Sequence, residues 1–390
     1  MHRLCSRDTA VTVDTEEIIH SIALTKLRGL SLLNARTLLE AVGSARDLFA
    51  NRKDILNLIP NASQRLVEAF DDAESALKAA QTEMEFIEKK GLRVLTLDSE
   101  DYPQRLRECE DAPLVLYGCG SVNLNSQRIV SMVGTRRCSE YGREVCSHFI
   151  ADLKRYYPDT LIVSGLAYGI DICAHRSALE NDMQTVAVLA HGLDSIYPQM
   201  HRQTAIEMIR QGGGLLTEYT THTRPEKLNF VRRNRIVAGL CDACIVVESS
   251  EKGGSLITAE LALEYNRDVF AFPGRVYDEC SKGCNSLIRR QRATLLTGVE
   301  DLLEAMGWAN PLAPDVAKPR AVQQELFPEI NDEERALLNT LKDVDDKHVN
   351  QIAIDSNIPY ARASMILFDL EMKGLVKALG GARYRLIRHS

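Results

Sequence analysis

Between Glu226 and Glu248 the chain reads EKLNFVRRNRIVAGLCDACIVVE, which gathers Arg232, Arg233 and Arg235 just after Lys227 and Phe230. Cations hold the phosphates of a nucleic acid and an aromatic ring stacks on its bases, so this mixture fits an unpaired strand better than an arbitrary polyanion. At helical spacing Arg232 and Arg235 share a face with Gly239, whereas Arg233 points elsewhere. The three arginines therefore cannot all meet one ligand. Carboxylates such as Glu218 or Glu248 are the alternative, structural partners, and Arg233 is the arginine expected to be structural or to face solvent.

Three other loops carry residues of the same kind. GTRRCSEYG offers Gly134, Thr135 and Arg136 at the start of a helix, where free backbone amides and a guanidinium fork make an anion pocket. A tight turn with solvated arginines explains that loop alone equally well. SGLAYGID adds Ser164, Gly165 and Gly169, and EKGGSLITAE adds Lys252, Gly254 and Ser255. With Lys227, Phe230, Arg232, Asn234 and Arg235, these form the candidate site: Arg136, Lys227 and Arg232 on phosphate, Phe230 against a base, and amides near Gly134, Gly165 and Gly254 on further phosphates. No GxGxxG follows a strand and no GxxxxGK[ST] occurs, so neither dinucleotide binding nor ATP hydrolysis is indicated, and no cofactor is expected.

An enzyme on the same framework is the alternative reading. Asp171 and His175 lie one turn apart as acid and base candidates, and Glu260 follows the Gly-Gly loop as in phosphoribohydrolase-type folds, but the PGGxGTxxE signature of those enzymes is not matched. No nucleophile, base and orienting group can be assembled, so no catalytic residue is assigned. The pairs Cys241/Cys244 and Cys280/Cys284 have loosely zinc-like spacing. The first runs into the apolar CIVVE, however, and buried free cysteine is commonly a small hydrophobe, so no metal is expected.

The elements that must position these loops follow from periodicity. From Gly91 onward, LRVLTLDS and LVLYGCGS read as strands, and then short β-branched runs alternate with helical patterns: IVSMVG, TLIVSG, TVAVLA, GLLTEY, ACIVVES, DVFAFPG and ATLLT. Such alternation marks a parallel sheet covered on both faces, whose ligands bind beyond the carboxyl ends of the strands. All the candidate loops fall on that edge. Residues 1–80 read as a small helical domain of helix-hairpin-helix type, 90–306 as the α/β domain, 307–328 as a Pro- and Ala-rich linker, and 329–390 as three helices and a Gly-Gly hairpin, a winged-helix pattern. The cations of its presumed recognition helix, the third, are few, Arg362 and Lys373, which favours protein over DNA as its partner.

At 390 residues the chain has room for two or three domains. It carries a formal net charge of -7 with 45% hydrophobic residues, no apolar run long enough to span a membrane, and no signal-peptide core at its start, so a cytoplasmic protein with reduced thiols is expected. An acidic total argues only weakly against nucleic acid, because local clusters of cations decide.

The motifs YPQRLRECEDAPLVLYGCG, VGTRRCSEYG, SGLAYGIDICAH, HGLDSIYP, LLTEY, NFVRRNRIVAGL, GGSLITAELALE, FPG and GCNSLI, in this order over roughly residues 90 to 306, resemble the DNA-processing protein A family (DprA, also called Smf). The resemblance implies a Rossmann-like core that binds single-stranded DNA, forms a homodimer and loads RecA recombinase onto DNA taken up in natural transformation. The family's GSR loop is GTR here, keeping Gly134 and Arg136 and a hydroxyl at Thr135. Its aromatic-Pro-x-Arg-Asn-Arg motif appears as Phe230 to Arg235 with Val231 in place of proline, and its pocket lysine matches Lys227.

Overall fold

The computed structural model describes residues 15–52, 67–308, 331–342 and 346–387. The chain divides into two compact units, Met1–Pro311 and Leu312–Ser390.

The first unit opens with helices α1 (Thr15–Lys26), α2 (Leu32–Val42), α3 (Ala45–Ala50) and α4 (Ala73–Lys90). Ser31 and Ser44 start α2 and α3 by accepting the amides of Asn34 and Asp47 on their hydroxyls. The helical domain expected to end near residue 80 is not closed there. Helix α4 runs on to Lys90, and its apolar face with those of α1 to α3 packs around Leu114, Val115 and Tyr117 of the α/β domain. Periodicity located these helices but says nothing about which surface covers them.

Next come β1 (Arg93–Thr96), α5 (Gln104–Arg107), β2 (Val115–Gly120), β3 (Ile129–Val133), α6 (Glu140–Tyr156), β4 (Leu161–Ser164), α7 (Ile170–Glu180), β5 (Thr185–Val188), α8 (Arg202–Arg210) and β6 (Gly214–Thr217). They are followed by α9 (Lys227–Leu240), β7 (Ala243–Val246), α10 (Gly254–Glu264), β8 (Asp268–Ala271), α11 (Lys282–Arg289), β9 (Thr294–Leu295) and α12 (Val299–Met306). The strands form one nine-stranded sheet in the order β1-β2-β6-β5-β4-β3-β7-β8-β9. From β6 to β9 all neighbours are parallel, with β3 paired to both β4 and β7. The expected Rossmann-like core is present; β1 and β2 extend it as antiparallel strands on the β6 edge.

Alternate strand residues feed two cores. Ile129, Val133, Leu161, Val163, Cys244 and Val246 pack with Ile236, Val237 and Leu240 of α9 and Ala259 and Ala262 of α10. Val130, Met132, Ile162, Ala243 and Ile245 face Phe149, Ile150 and Leu153 of α6 and Ile170, Ala174 and Ala178 of α7. Burial of each such aliphatic side chain contributes about 1.5–3 kcal/mol, which locks the helices to opposite faces. Chain order reverses direction between β3 and β7, the switch point at which open sheets of this kind bind ligands, between the GTRR and EKGGS loops.

The second unit comprises α13 (Asp332–Asn339), β10 (Lys347–His348), α14 (Val349–Ser356), α15 (Tyr360–Met372), β11 (Val376–Leu379) and β12 (Arg383–Leu386). Leu337, Ile352, Leu367, Leu370 and Val376 form its core. It is the expected winged helix, with β10 as a third strand on the hairpin. Most of the proposed linker, 309–328, lies outside the described residues. Arg362 on α15 bonds Glu333 at 2.8 Å, and Lys373 at its C-terminal end bonds Glu334 at 2.7 Å, so both cations are engaged within the unit. Among the described residues no helix is long and apolar enough to cross a membrane.

Candidate nucleic-acid interface

The GTRR loop is fastened to β7. The Thr135 amide donates to the Glu248 backbone carbonyl at 2.8 Å. The buried Glu248 carboxylate accepts from the Ser139 amide at 2.9 Å and its hydroxyl at 2.5 Å. Ser139 in turn caps α6 by accepting the Gly142 amide. One residue therefore fixes both ends of the loop, Thr135 through its backbone carbonyl and Ser139 through its carboxylate, and leaves the outer residues Arg136 and Arg137 exposed. The Thr135 hydroxyl, kept where the related motif has serine, accepts the Arg137 amide at 3.2 Å.

Gly169 brings the next loop against this one. Its φ of +78° belongs to the left-handed region, and a Cβ there would collide with the Thr135 carbonyl. That carbonyl accepts the Ile170 amide at 3.2 Å. Gly134 packs on Ile170 from the other side. Thus Gly134, Thr135 and Gly169 are brought together, with Arg136 projecting above them.

The arginines of α9 separate sharply. Arg233 is 3% exposed and caps the carboxyl ends of two strands, donating to the Gly165 carbonyl at 2.6 Å and to the Val188 carbonyl. A side chain at Gly165 would occupy the place of its guanidinium, so that glycine is there to admit Arg233. Asp171, on the first turn of α7, is the countercharge. Burial raises its carboxyl above the usual range, and Arg233 and the amides of Ala167 and Gly165 oppose that rise. Burial likewise lowers the Arg233 guanidinium, and Asp171 opposes that fall without cancelling it. Of the two environments allowed for Arg233, the buried structural one holds.

Arg235 was grouped with Arg232 by helical spacing, yet its side chain is 13% exposed and bonds Glu218 at 2.5 Å, with Asp111 at 3.7 Å. One turn deeper along α9, it lies below the crevice rim and is occupied as an ion pair, so it does not join the exposed cations. Arg232, Lys227 and Arg136 are exposed. Asn234 accepts from Arg233 Nε at 3.1 Å and steadies that fork.

Ser164 and Gly165 also fall below the surface. The Ser164 hydroxyl is fully buried and donates to the Met132 carbonyl at 2.6 Å, and Gly165 is buried over Arg233. Their place after a strand suggests ligand contacts, but the chain stays in the core from Ser164 through Ala167 and emerges only at Tyr168. Ser255 donates to the Ser249 hydroxyl at 2.9 Å and is 6% exposed, while Lys252 and Gly254 are exposed at the start of α10. No side chain caps that helix, so its positive N-terminal end lies beside Lys252 without a side-chain acceptor.

Phe230 sits where these parts meet. Arg136 lies over its ring with the guanidinium carbon 5.1 Å from the centroid, and Arg233 stands 5.9 Å away. Tyr197, from the HGLDSIYP loop, contacts it with centroids 5.8 Å apart. Tyr168 is 41% exposed and packs edge-on against His201. The sequence reading missed both tyrosines, although each lies in a loop on the carboxyl edge.

The acid–base candidates do not converge. Asp171 and His175 lie on α7 and Glu260 on α10, across the sheet, where Glu260 pairs with Arg292. His175 is fully buried with Nδ1 2.7 Å from the Thr185 hydroxyl, and burial, reinforced by His201 and Arg233, lowers its pKa to about 3. Because the unfolded chain protonates this imidazole below about 6.5 while the native state does not, stability is lost as pH falls from 6.5 toward 3, by at most about 1.4 kcal/mol per pH unit. His175→Gln is expected to flatten the fall of the urea midpoint between pH 6.5 and 4.5; equal slopes in variant and wild type would refute this. Cys241 and Cys244 are buried at the start of β7, and burial raises both thiols. Among the described residues no cluster of three His, Cys, Asp or Glu side chains is arranged for a metal.

Comparison with known proteins adds an independent finding. The model of the family described as DNA recombination-mediator protein A matches residues 93–307, and that of the DprA winged helix domain matches 317–382. The putative DNA processing protein DprA of Mycobacterium tuberculosis is 35% identical over 329 residues, 81% of this chain and 82% of that protein. Protein Smf of Escherichia coli is 34% identical over 318 residues, 80% and 82% of the two chains. The X-ray structure of DprA from Streptococcus pneumoniae superposes with a TM-score of 0.63 at 33% identity, covering 73% of this chain and 97% of that one.

Proposed function

This DNA-processing protein belongs to the DNA recombination-mediator protein A family, and on that footing we propose that it binds single-stranded DNA in the β3–β7 crevice without altering it chemically. The carrying observation is the exposed Arg136 set over Phe230, a cation beside a ring at the point of the sheet where ligands bind. Lys227 and Arg232 extend the positive edge along α9, and Lys252 with the uncapped α10 start extends it across β7. The absence of a convergent acid, base and nucleophile among the candidate residues favours binding over catalysis. In keeping with the family, the bound strand would be protected and handed to RecA recombinase in the cytoplasm during natural transformation, by a homodimer.

The test is fluorescence anisotropy with labelled oligo(dT) over a range of salt. Affinity should fall linearly in logarithmic coordinates, and Arg136→Ala should both weaken binding and reduce the slope by about 0.7, the value of one phosphate contact on a single strand. Affinity and slope unmoved by Arg136→Ala would overturn the assignment.

A further inference from the structure

The ring of Phe230 is a poor free surface for a base. It is half-buried and already faced by the guanidiniums of Arg136 and Arg233, whose electrostatic attraction to the ring face competes with an incoming base. The neighbouring ring is different. Tyr197 is 45% exposed, its plane is tilted 60° from that of Phe230, and no cation lies over it among the described residues.

Tyr197 is also held firmly. Its amide donates to Nε2 of His191 at 3.2 Å. His191 is 1% exposed, and its Nδ1 lies 2.9 Å from the Gly192 carbonyl, so a single neutral tautomer satisfies both nitrogens. The His191 carbonyl accepts the Thr217 hydroxyl at 3.0 Å, which ties the loop to the end of β6. A ring mounted on such a backbone loses little freedom on meeting a ligand. Other exposed apolar side chains stand on the same two segments: Met200, three residues past Tyr197, and Leu228 and Val231, on the first turns of α9 with Phe230, are 68%, 55% and 40% exposed.

We infer that Tyr197 is the stacking platform for an unpaired base of the bound strand, while Phe230 chiefly organises the cations that hold its phosphates. This inference rests on the single-strand reading above and assigns the base contact within it.

The experiment compares oligo(dT) with an abasic oligomer of equal length, for wild type, Tyr197→Ala, Tyr197→Leu and Tyr197→Phe. Stacking on a ring predicts that Tyr197→Ala and Tyr197→Leu lower affinity for oligo(dT) about 10-fold, that affinity for the abasic strand is unchanged, and that Tyr197→Phe behaves as wild type. The salt slope should be the same in all four proteins, because no phosphate contact is removed. Equal losses on both strands, no loss on either, or a Tyr197→Phe defect matching that of Tyr197→Ala would each overturn the inference. Tyr197→Leu preserves the bulk of the side chain, so the comparison survives if the alanine variant is poorly folded. Should wild type itself fail to bind oligo(dT), the single-strand reading fails first; binding by wild type with an unchanged dT-to-abasic ratio in Tyr197→Leu removes only the role of Tyr197.

Discussion

Arg233→Met should destabilise the first unit by about 3–5 kcal/mol, read as a lower urea midpoint at pH 7, although the site it borders is a surface crevice. The guanidinium bonds the Gly165 and Val188 carbonyls and faces Asp171, and all three lie inside the protein. Methionine fills much of the same volume but leaves a buried carboxylate without its countercharge. The greater part of the loss therefore comes from Asp171, which predicts that Arg233→Met combined with Asp171→Asn recovers a substantial share of it. If the double variant is no more stable than the single one, the carbonyl bonds and not the charge pair dominate, and the account given for Asp171 is wrong.

The second large effect concerns binding. Replacing Arg136, Lys227 and Arg232 together by alanine should lower affinity for oligo(dT) at low salt by about 10³-fold, roughly tenfold for each charge-assisted phosphate contact. Among the described residues none of the three makes a hydrogen bond or ion pair with a buried side chain, so the thermal midpoint should stay close to wild type. Replacing Arg235 instead should give the opposite pattern, because its partner Glu218 is buried and its own side chain is almost hidden. A triple variant that binds as wild type does would show that the strand runs elsewhere.

The sheet was legible because its central parallel strands are nearly continuous apolar runs, a pattern expected of a sheet covered on both sides. Its antiparallel extension was not: nothing within LVLYGCG states that it pairs with β6 far downstream. For the same reason the two-residue β10 escaped notice, since a strand that short has no period.

The crevice was legible as a set of loops and illegible as a surface. Glycine, serine and arginine after a strand look alike whether they face water or the core. Arg136 and Arg233 have the same side chain, yet one is exposed above a ring and the other is enclosed beneath it. What distinguishes them is the missing side chain at Gly165 and the carboxylate of Asp171, supplied by a different strand-to-helix connection. Helical spacing correctly set Arg233 apart from Arg232, but it could not register that the next turn of α9, at Arg235, meets Glu218.

The N-terminal helices bear on the crevice in one further way. The carboxylate of Glu83 on α4, 5% exposed, accepts the Thr221 amide at 2.9 Å and its hydroxyl at 2.7 Å, and Lys26 of α1 reaches the Thr220 hydroxyl at 3.3 Å. Residues 220 and 221 lead directly into the start of α9, where Lys227 and Phe230 stand. Freed from Glu83, that segment would have to surrender its conformational entropy when DNA arrives, and part of the binding energy would go into ordering it. In the proposed complex the N-terminal helices would thus act as a splint, raising affinity by having done the ordering at the moment of folding.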